Sequence, residues 1–508
     1  MILLILGLLF FAPCVLRAQV TVSTAQYDNT RDGVNANETV LNPANVSTVV
    51  QLGAYVLDGP VYAQPLYVPA LTINSRSYNV IYAVTMNNTL YALDADNPGA
   101  APLWSVNFGS GWSTSSSELF YSQTIGIVST PVIDVSGGFI YLVSVNNTPT
   151  YTVRKINLLT GAQSASTAIS ATVSGTGSGS VAGSLSFDAS LQTQRTPLTL
   201  SGSNIYFGFG SVEENTHTWH GWVFKYDTAT LTQQAVLCLS PNGNGAGIWE
   251  SGGGFAVDGS GNLYFATGNG DYDGSANFSQ SVIKVNSSLV IEDWFTPSNN
   301  ATTTSLDADL SSGRVMLIPG TSLLTIGSKD ARVWVIDTTS MGHLQGSGTL
   351  PQVFTSASIT VGPGSGIFGG LFFGSVGYFP VASNIMNAFA FSGSTFTTTP
   401  AASTSPSTYP QLTLTGSSNS GSNSIIWALA PIAGAFSAAQ QVILHAFNPS
   451  TLAEYWNSGS VGLYAKFAAP TVANGRVYVP TNSGKILAFG LPSAVTAVSV
   501  TGIPKSAP

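Results

Sequence analysis

The chain has 508 residues, of which 7% are charged, and its 23 acids outnumber its 15 bases to give a net charge of -8. Ordinary soluble proteins carry roughly a quarter charged residues, so this composition, with its 53 glycines, is one of strands and turns. The acidic balance and the lack of any Lys/Arg cluster exclude the electrostatic footprint of a nucleic-acid partner, and no later apolar run is long enough to span a bilayer.

The first residues, MILLILGLLFFAPCVLRAQV, form an apolar run of export-signal length with Ala18 before the cut. We therefore expect a signal over residues 1–18 and a mature chain in the periplasm or outside the cell. No Lys or Arg precedes the apolar core, and Leu16 is large for the third place before the cut. After cleavage Cys238 is the one remaining cysteine, so an internal disulfide and a Cys-x-x-Cys site are excluded. Next comes STVVQLGAYVLDG (47–59), a strand with no unit of its own.

An apolar strand ending in a polar or small residue then recurs eight times. It closes at Asp94, Asn157, Asp227, Asn286, Asp337, Ser392, Asn448 and Gly490, at spacings from 42 to 70 residues. Before most of these lies a second strand with Asn or Gly at its turn, as in NVIYAVTMNN (79–88) and GNLYFATGN (261–269), which makes a hairpin. Short Pro-containing strands such as STPVID (129–134) come earlier, and Trp-bearing ones such as EDWFTP follow. Four strands in each of eight irregular units predict an all-β fold, an eight-bladed β-propeller over residues 25–492. The last unit lacks a fourth strand, and the spare N-terminal strand is expected to close the ring. Seven blades is the alternative, because the sixth unit, GYFPVASNIMNAFAF, is weakly patterned. Residues 393–424 read as a low-complexity loop and residues 493–508 as a loose tail.

LYALDADNPGAAPLW (90–104), with its Ala-x-Asp, Gly and Trp, resembles the docking repeat of the quinoprotein propellers. These bind pyrroloquinoline quinone (PQQ) or descend from binders of it. IWESGGGFAVDGSGNLYFATGNGDYDG, HGWVFKYD and AKFAAPTVANGRVYV narrow the resemblance to exported bacterial PQQ-like propellers of unassigned role. In PQQ dehydrogenases a Glu after a Gly-Ser strand end and an Asn in a Gly-Asn turn ligate calcium, and an upstream Trp stacks on the quinone. The resemblance implies these roles for Glu214, Asn269 and Trp249. It likewise implies Asp307 or Asp309 as catalytic base and Lys329 as a contact to the quinone. Two features depart from the family: its adjacent cysteine pair is absent, and LDADL lacks the usual Trp.

The residues also carry plainer readings. Trp249 and Trp222 serve equally as blade-packing aromatics, Asn269-Gly270 is an ordinary turn pair, and His217 and His220 lack a third metal ligand. Asn269, Asp271, Asp273 and Gly274 follow the opening of a calcium loop, but Gln280 stands where its bidentate acid belongs, so at most weak calcium binding is expected. Eleven of the 23 acids lie between Glu213 and Asp309, which predicts an acidic face on adjacent blades. Phosphate-loop, zincin and serine-hydrolase motifs are missing. Two function classes remain. One is an exported monomeric binding or scaffold propeller with a protein, glycan or small-molecule ligand and a calcium-binding loop. The other is a calcium- and PQQ-dependent dehydrogenase acting on alcohols or sugars.

Overall fold

A computed structural model describes residues 19–113, 124–214, 218–346, 348, 350–405, 411–433 and 440–492. The proposed signal, the tail and His217 lie outside the described residues. Eight blades built on four strands form the ring, and in three of them a further short strand pairs onto the sheet. The eight recurrent segments are the third strands of the blades, for example Thr89–Asp94, Arg332–Asp337 and Lys485–Gly490. The weakly patterned sixth unit is a full blade, Leu371–Phe373, Val376–Pro380, Met386–Ala390 and Ala402–Ser403, which settles the count at eight. Among the described residues no helix is long and apolar enough to cross a membrane.

Residues 393–424 are not one loop. Ala402–Ser403 is the outer strand of the sixth blade, and Thr413–Asn419 is the inner strand of the seventh, antiparallel to Ser422–Pro431. The Ser/Thr-rich composition misleads because Thr is β-branched and suits a strand. These hydroxyls are also satisfied: Thr413 Oγ1 donates to Ala468 O and Thr415 Oγ1 to Pro470 O, both at 2.9 Å.

The spare strand, Val50–Val56, pairs antiparallel with Lys485–Gly490 and completes the eighth blade. Its Tyr55 is buried, and its hydroxyl donates to Asp94 O of the first blade at 2.7 Å. One side chain thus joins the two blades that flank the closure.

A second N-terminal segment, Val22 to Glu38, runs once around the axis and bonds to every blade in turn. Val22 exchanges backbone hydrogen bonds with Tyr67, Ser23 O accepts from Ile133 N, and Asn29 Nδ2 donates to Leu200 O while its carbonyl accepts from Val257 N. Thr30 O, Asp32 O and Gly33 O then accept from Leu317, Phe372 and Gly416. Glu38 closes the circuit by accepting from Gly475 N. All these partners lie on, or just beyond the end of, the inner strands, so the segment is a belt sealing one mouth of the central channel.

Above the belt lies a buried charged layer. Arg31 donates through Nε to Phe255 O at 2.9 Å and through Nη2 to Thr199 Oγ1 at 2.8 Å. Glu250 accepts from Ala266 N and Val315 N, and Arg314 donates to Gly370 O. Burial raises the Glu250 carboxyl to about 8 against those two N–H groups and the charges of Arg31 and Arg314. Burial and the Asp28 charge raise Asp32 to about 7.

Two outcomes are expected. Tyr55→Ala should cost about 3–5 kcal/mol in denaturant unfolding, as for other buried aromatics, and Tyr55→Phe about 1 kcal/mol, for one hydrogen bond. Because Asp32 and Glu250 hold protons more tightly folded than unfolded, their contribution to stability is present below about pH 4 and is lost as pH rises through 7 and 8. The melting midpoint should therefore fall between about pH 5 and pH 8. Glu250→Gln should flatten that fall, and a midpoint that rises over this range would contradict the assignment.

Candidate functional site

At the mouth opposite the belt, a cavity of about 410 Å³ opens where the inner strands begin. Glu214, Asn269 and Lys329 follow the second strands of three consecutive blades: Asn204–Ser211, Leu263–Ala266 and Leu323–Gly327. Repetition of the blade therefore brings them to one face. Trp249 and Asp307 with Asp309 come from the connections entering the fourth and fifth blades. All six residues line the cavity.

They are joined by hydrogen bonds. Asn269 Nδ2 donates to Glu214 Oε2 at 2.9 Å and to Asp307 Oδ1 at 2.8 Å, and Asn269 N donates to Asp309 Oδ1 at 3.0 Å. Trp249 Nε1 donates to Glu214 Oε1 at 3.2 Å. Lys329 Nζ donates to Asp309 Oδ2, to Asp307 Oδ1 at 3.2 Å and to Asp307 O at 3.0 Å. Carboxylate oxygens of Glu214, Asp307 and Asp309 lie within 4.8 Å of one another. Three acids and one lysine so placed form an anionic centre able to hold a hard cation.

Local backbone geometry sets these directions. Asn300–Ser305 is a short helix, and the turn after it, with Ala308 N donating to Thr303 O at 2.8 Å, holds Asp307 at a φ of 52°. Glu250 and Ser251 also have positive φ, 53° and 41°, a conformation costing of order 1–3 kcal/mol per residue that persists where the surroundings enforce it. Glu250 N donates to Ser311 O and Ser251 Oγ to Ser312 O, so the connection entering the fifth blade holds the Trp249 turn.

The electrostatics follow from burial. Glu214 is raised to about 8, first by burial and then by the Asp309 charge, against the Asn269 amide and Lys329. Asp307 is raised for the same first two reasons. Burial works against the Lys329 ammonium, yet Asp309 and Asp307 hold it above the ordinary lysine value.

The calcium loop is not assembled. Asn269 turns into the cavity, while Asp271 and Asp273 are exposed and outside its lining. Asp273 Oδ1 accepts from Ser275, Ala276 and Asn277 N, and Oδ2 from Asn277 Nδ2 at 2.6 Å, so its oxygens cap a turn. Tyr272 pairs with Phe278, which folds the insertion into a small hairpin and sends alternate side chains apart. The two tryptophans also part company: Trp222 is fully buried among blade aromatics, whereas Trp249 is half-buried and faces the cavity. His220 is buried, with its ring nitrogens against Ser178 O, Ser240 O and Ser240 Oγ, and lies away from the acids.

Sequence reasoning missed three contributors. Gln280, noted only for not being an acid, is buried; its Nε2 donates to Asn269 Oδ1 at 2.9 Å and its Oε1 accepts from Leu310 N at 2.8 Å. Arg195 and Lys466 line the far wall. Both stand just before the inner strands of their blades, next to Pro197 and Pro470, a second position that brings side chains to the cavity.

No family model and no curated protein matches the chain. Solved structures do. The quinohemoprotein alcohol dehydrogenase of Comamonas testosteroni is 13% identical, with a TM-score of 0.63 over 94% of this chain and 81% of that one. A quinohemoprotein alcohol dehydrogenase from Pseudomonas putida is 12% identical, with a TM-score of 0.61 over 93% and 80%. A europium-containing methanol dehydrogenase is 11% identical, with a TM-score of 0.59 over 93% and 98%. At these identities the likeness is one of fold, that of an eight-bladed β-propeller.

Proposed function

We propose that the funnel binds a hard cation and a quinone cofactor and oxidises an alcohol-type substrate. One observation carries this reading: Glu214, Asn269, Asp307, Asp309, Lys329 and Trp249, singled out by their positions in the sequence, meet in one cavity. The proposed signal over residues 1–18 would place this chemistry outside the cytoplasm.

The donor set fits the groups concerned. Carboxylate oxygens suit hard cations, and a bound cation would displace the protons that burial favours on Glu214 and Asp307; a europium-containing enzyme shares the fold. Trp249 packs on Gly210, where a Cβ would sit 2.9 Å from the indole, which leaves the ring as a firm wall for a flat ligand. When bound, the cation and quinone would supply a polarised carbonyl and a hydride acceptor. The chain's own part is the proton. Asp307 is fixed through Oδ1 by Asn269 and Lys329, and its raised affinity for protons makes it the fitting acceptor for a substrate hydroxyl proton at Oδ2. Lys329 donates to Asp309 and orients Asp307 from its carbonyl as well as its carboxylate.

The test is reconstitution. Calcium or europium should raise the melting midpoint, about 2.7 kcal/mol of stabilisation being expected at a hundredfold excess over Kd. Glu214→Gln should remove most of that effect. With cation and PQQ present, dye reduction by alcohols should appear and fall about 10²–10⁴-fold in Asp307→Asn. No thermal shift with either ion, together with no turnover, would refute the proposal.

A further inference from the structure

On the third- and fourth-blade side of the cavity, a strap and a loop pack together around one buried histidine. The strap is the hairpin of Thr172–Ser174 with Ser184–Ser186 and the turn between them, in the connection entering the third blade. Its turn lies against the loop 240–246, which leaves the third blade: Gly177 N donates to Pro241 O at 2.8 Å and Ser178 N to Gly243 O at 3.0 Å. The approach needs glycine, since a Cβ on Gly175 would clash with Pro241 O and one on Gly177 with Gly243 O. The loop in turn belongs to the cavity wall. Asn244 lines the cavity, its O accepts from Asp271 N at 2.9 Å, and Ala246 N donates to Asn269 O at 2.7 Å.

His220, 4% exposed, joins strap and loop. Its Nε2 faces Ser178 O at 2.9 Å, and its Nδ1 faces both Ser240 O and Ser240 Oγ at 3.0 Å. Ser240 Oγ also lies 2.7 Å from Gly245 O, to which Gly221 N donates at 2.8 Å. Proton counting leaves two arrangements. Ser178 O can only accept, so Nε2 carries a proton in both. A neutral ring has no second proton, and its Nδ1 takes the Ser240 hydroxyl proton while Gly245 O keeps Gly221 N alone. An imidazolium donates from Nδ1 to Ser240 O, and the hydroxyl turns to Gly245 O, bridging the loop.

We infer that His220 is a proton-operated switch in the cavity rim: protonation frees the Ser240 hydroxyl to tie the loop 240–246 at Gly245, and deprotonation unties it. The strap is held in both states, and the segment carrying Asn244 firms on the acid side. This does not rest on the cation and quinone reading. Strap and loop contain no ionisable side chain. The elements beside them bring Asp188, whose Oδ1 accepts from Ser190 N and Oγ, and Asp271, whose carboxylate packs against Gly243. On the segment of His220 itself, Glu214 O accepts from Trp219 Nε1 at 3.4 Å, and Lys225 follows in the third strand. The proton affinity of the ring is set by burial, which lowers it, against the Ser178 and Ser240 carbonyls, which raise it. The switch therefore turns below the ordinary histidine value of about 6.5.

The test uses the full chain with no cation or quinone added. With isotope-labelled histidine, the ring signals that vanish in His220→Gln should show the Nε2–H tautomer at about pH 7.5 and a second ring proton by about pH 4.5. Amide exchange over residues 240–247, corrected for the intrinsic rate and referred to Lys485–Gly490 in the same sample, should slow at least about threefold over that range in wild type. Ser240→Ala keeps the titrating ring and lacks the hydroxyl, so its ring should still titrate while its exchange shows no such slowing. Where His220→Gln does not fold, the exchange contrast between wild type and Ser240→Ala carries the test alone. An Nδ1–H tautomer on the basic side, a ring with no second proton on the acid side, or equal slowing in Ser240→Ala would overturn the inference.

Discussion

Closing eight sheets into a ring turns eight inner strand edges toward one axis, and those edges carry backbone N–H and C=O groups that need partners. The rest of the molecule depends on how that axis is filled. Water can serve a wide channel, but here the belt from Val22 to Glu38 takes the work at one mouth, bonding successively to the inner strands. The other mouth is left to side chains, and with the far end sealed it becomes a closed-bottomed funnel. Low solvent access on one side is what raises Glu214, Asp307 and Glu250 above ordinary carboxyl values.

In a chain this poor in charge, the placement of what charge there is carries information. Arg31, Arg195, Arg314, Lys329 and Lys466, five of the 15 cations, are buried in the axial funnel and the layer beneath it. Stability alone argues against such a column, since buried ion pairs seldom outperform packed apolar residues. The lower members, Arg31 and Arg314, face Glu250 and Asp32 and the belt's carbonyls, so they lock the belt to the ring. The upper members meet the cavity. The column thus changes from belt-facing to cavity-facing at Ser251-Gly252, where the backbone is left-handed.

What could be read from the sequence was what repeats. The third strands and their polar ends have a blade-long recurrence, so ring, closure and the alignment of Glu214, Asn269 and Lys329 on one face followed from equivalent positions in successive blades. The belt was not legible, because each of its residues meets a different blade and it has no period of its own. Asp271 and Asp273 misled because alternating acids around a glycine satisfy a capped turn as well as a cation loop, and only the pairing of Tyr272 with Phe278 decides between them. Trp222 and Trp249 carried the same letter with opposite outcomes. The difference lies in Gly210, whose missing side chain lets the Trp249 indole rest at the cavity wall instead of in a sheet core.

Gln280 shows how tightly the acidic centre is tied to its surroundings. Asn269 presents Nδ2 to Glu214 and Asp307, so a donor occupies oxygens that the proposed cation would use. For Asn269 to offer its carbonyl oxygen, the amide must turn over, which brings Nδ2 against Gln280. Gln280 must then turn as well, and Leu310 N loses its acceptor. A buried N–H so abandoned costs about 1–3 kcal/mol. Cation binding by the carboxylates alone, with Asn269 displaced but not reversed, avoids that cost and loses one oxygen ligand. The choice falls on the charge of the ion: a trivalent cation draws more from three carboxylates than a divalent one and depends less on a neutral fourth ligand. In the proposed cation site the relay from Asn269 through Gln280 to Leu310, two neutral amides and one backbone N–H, would therefore weigh against an ion that needs the Asn269 oxygen.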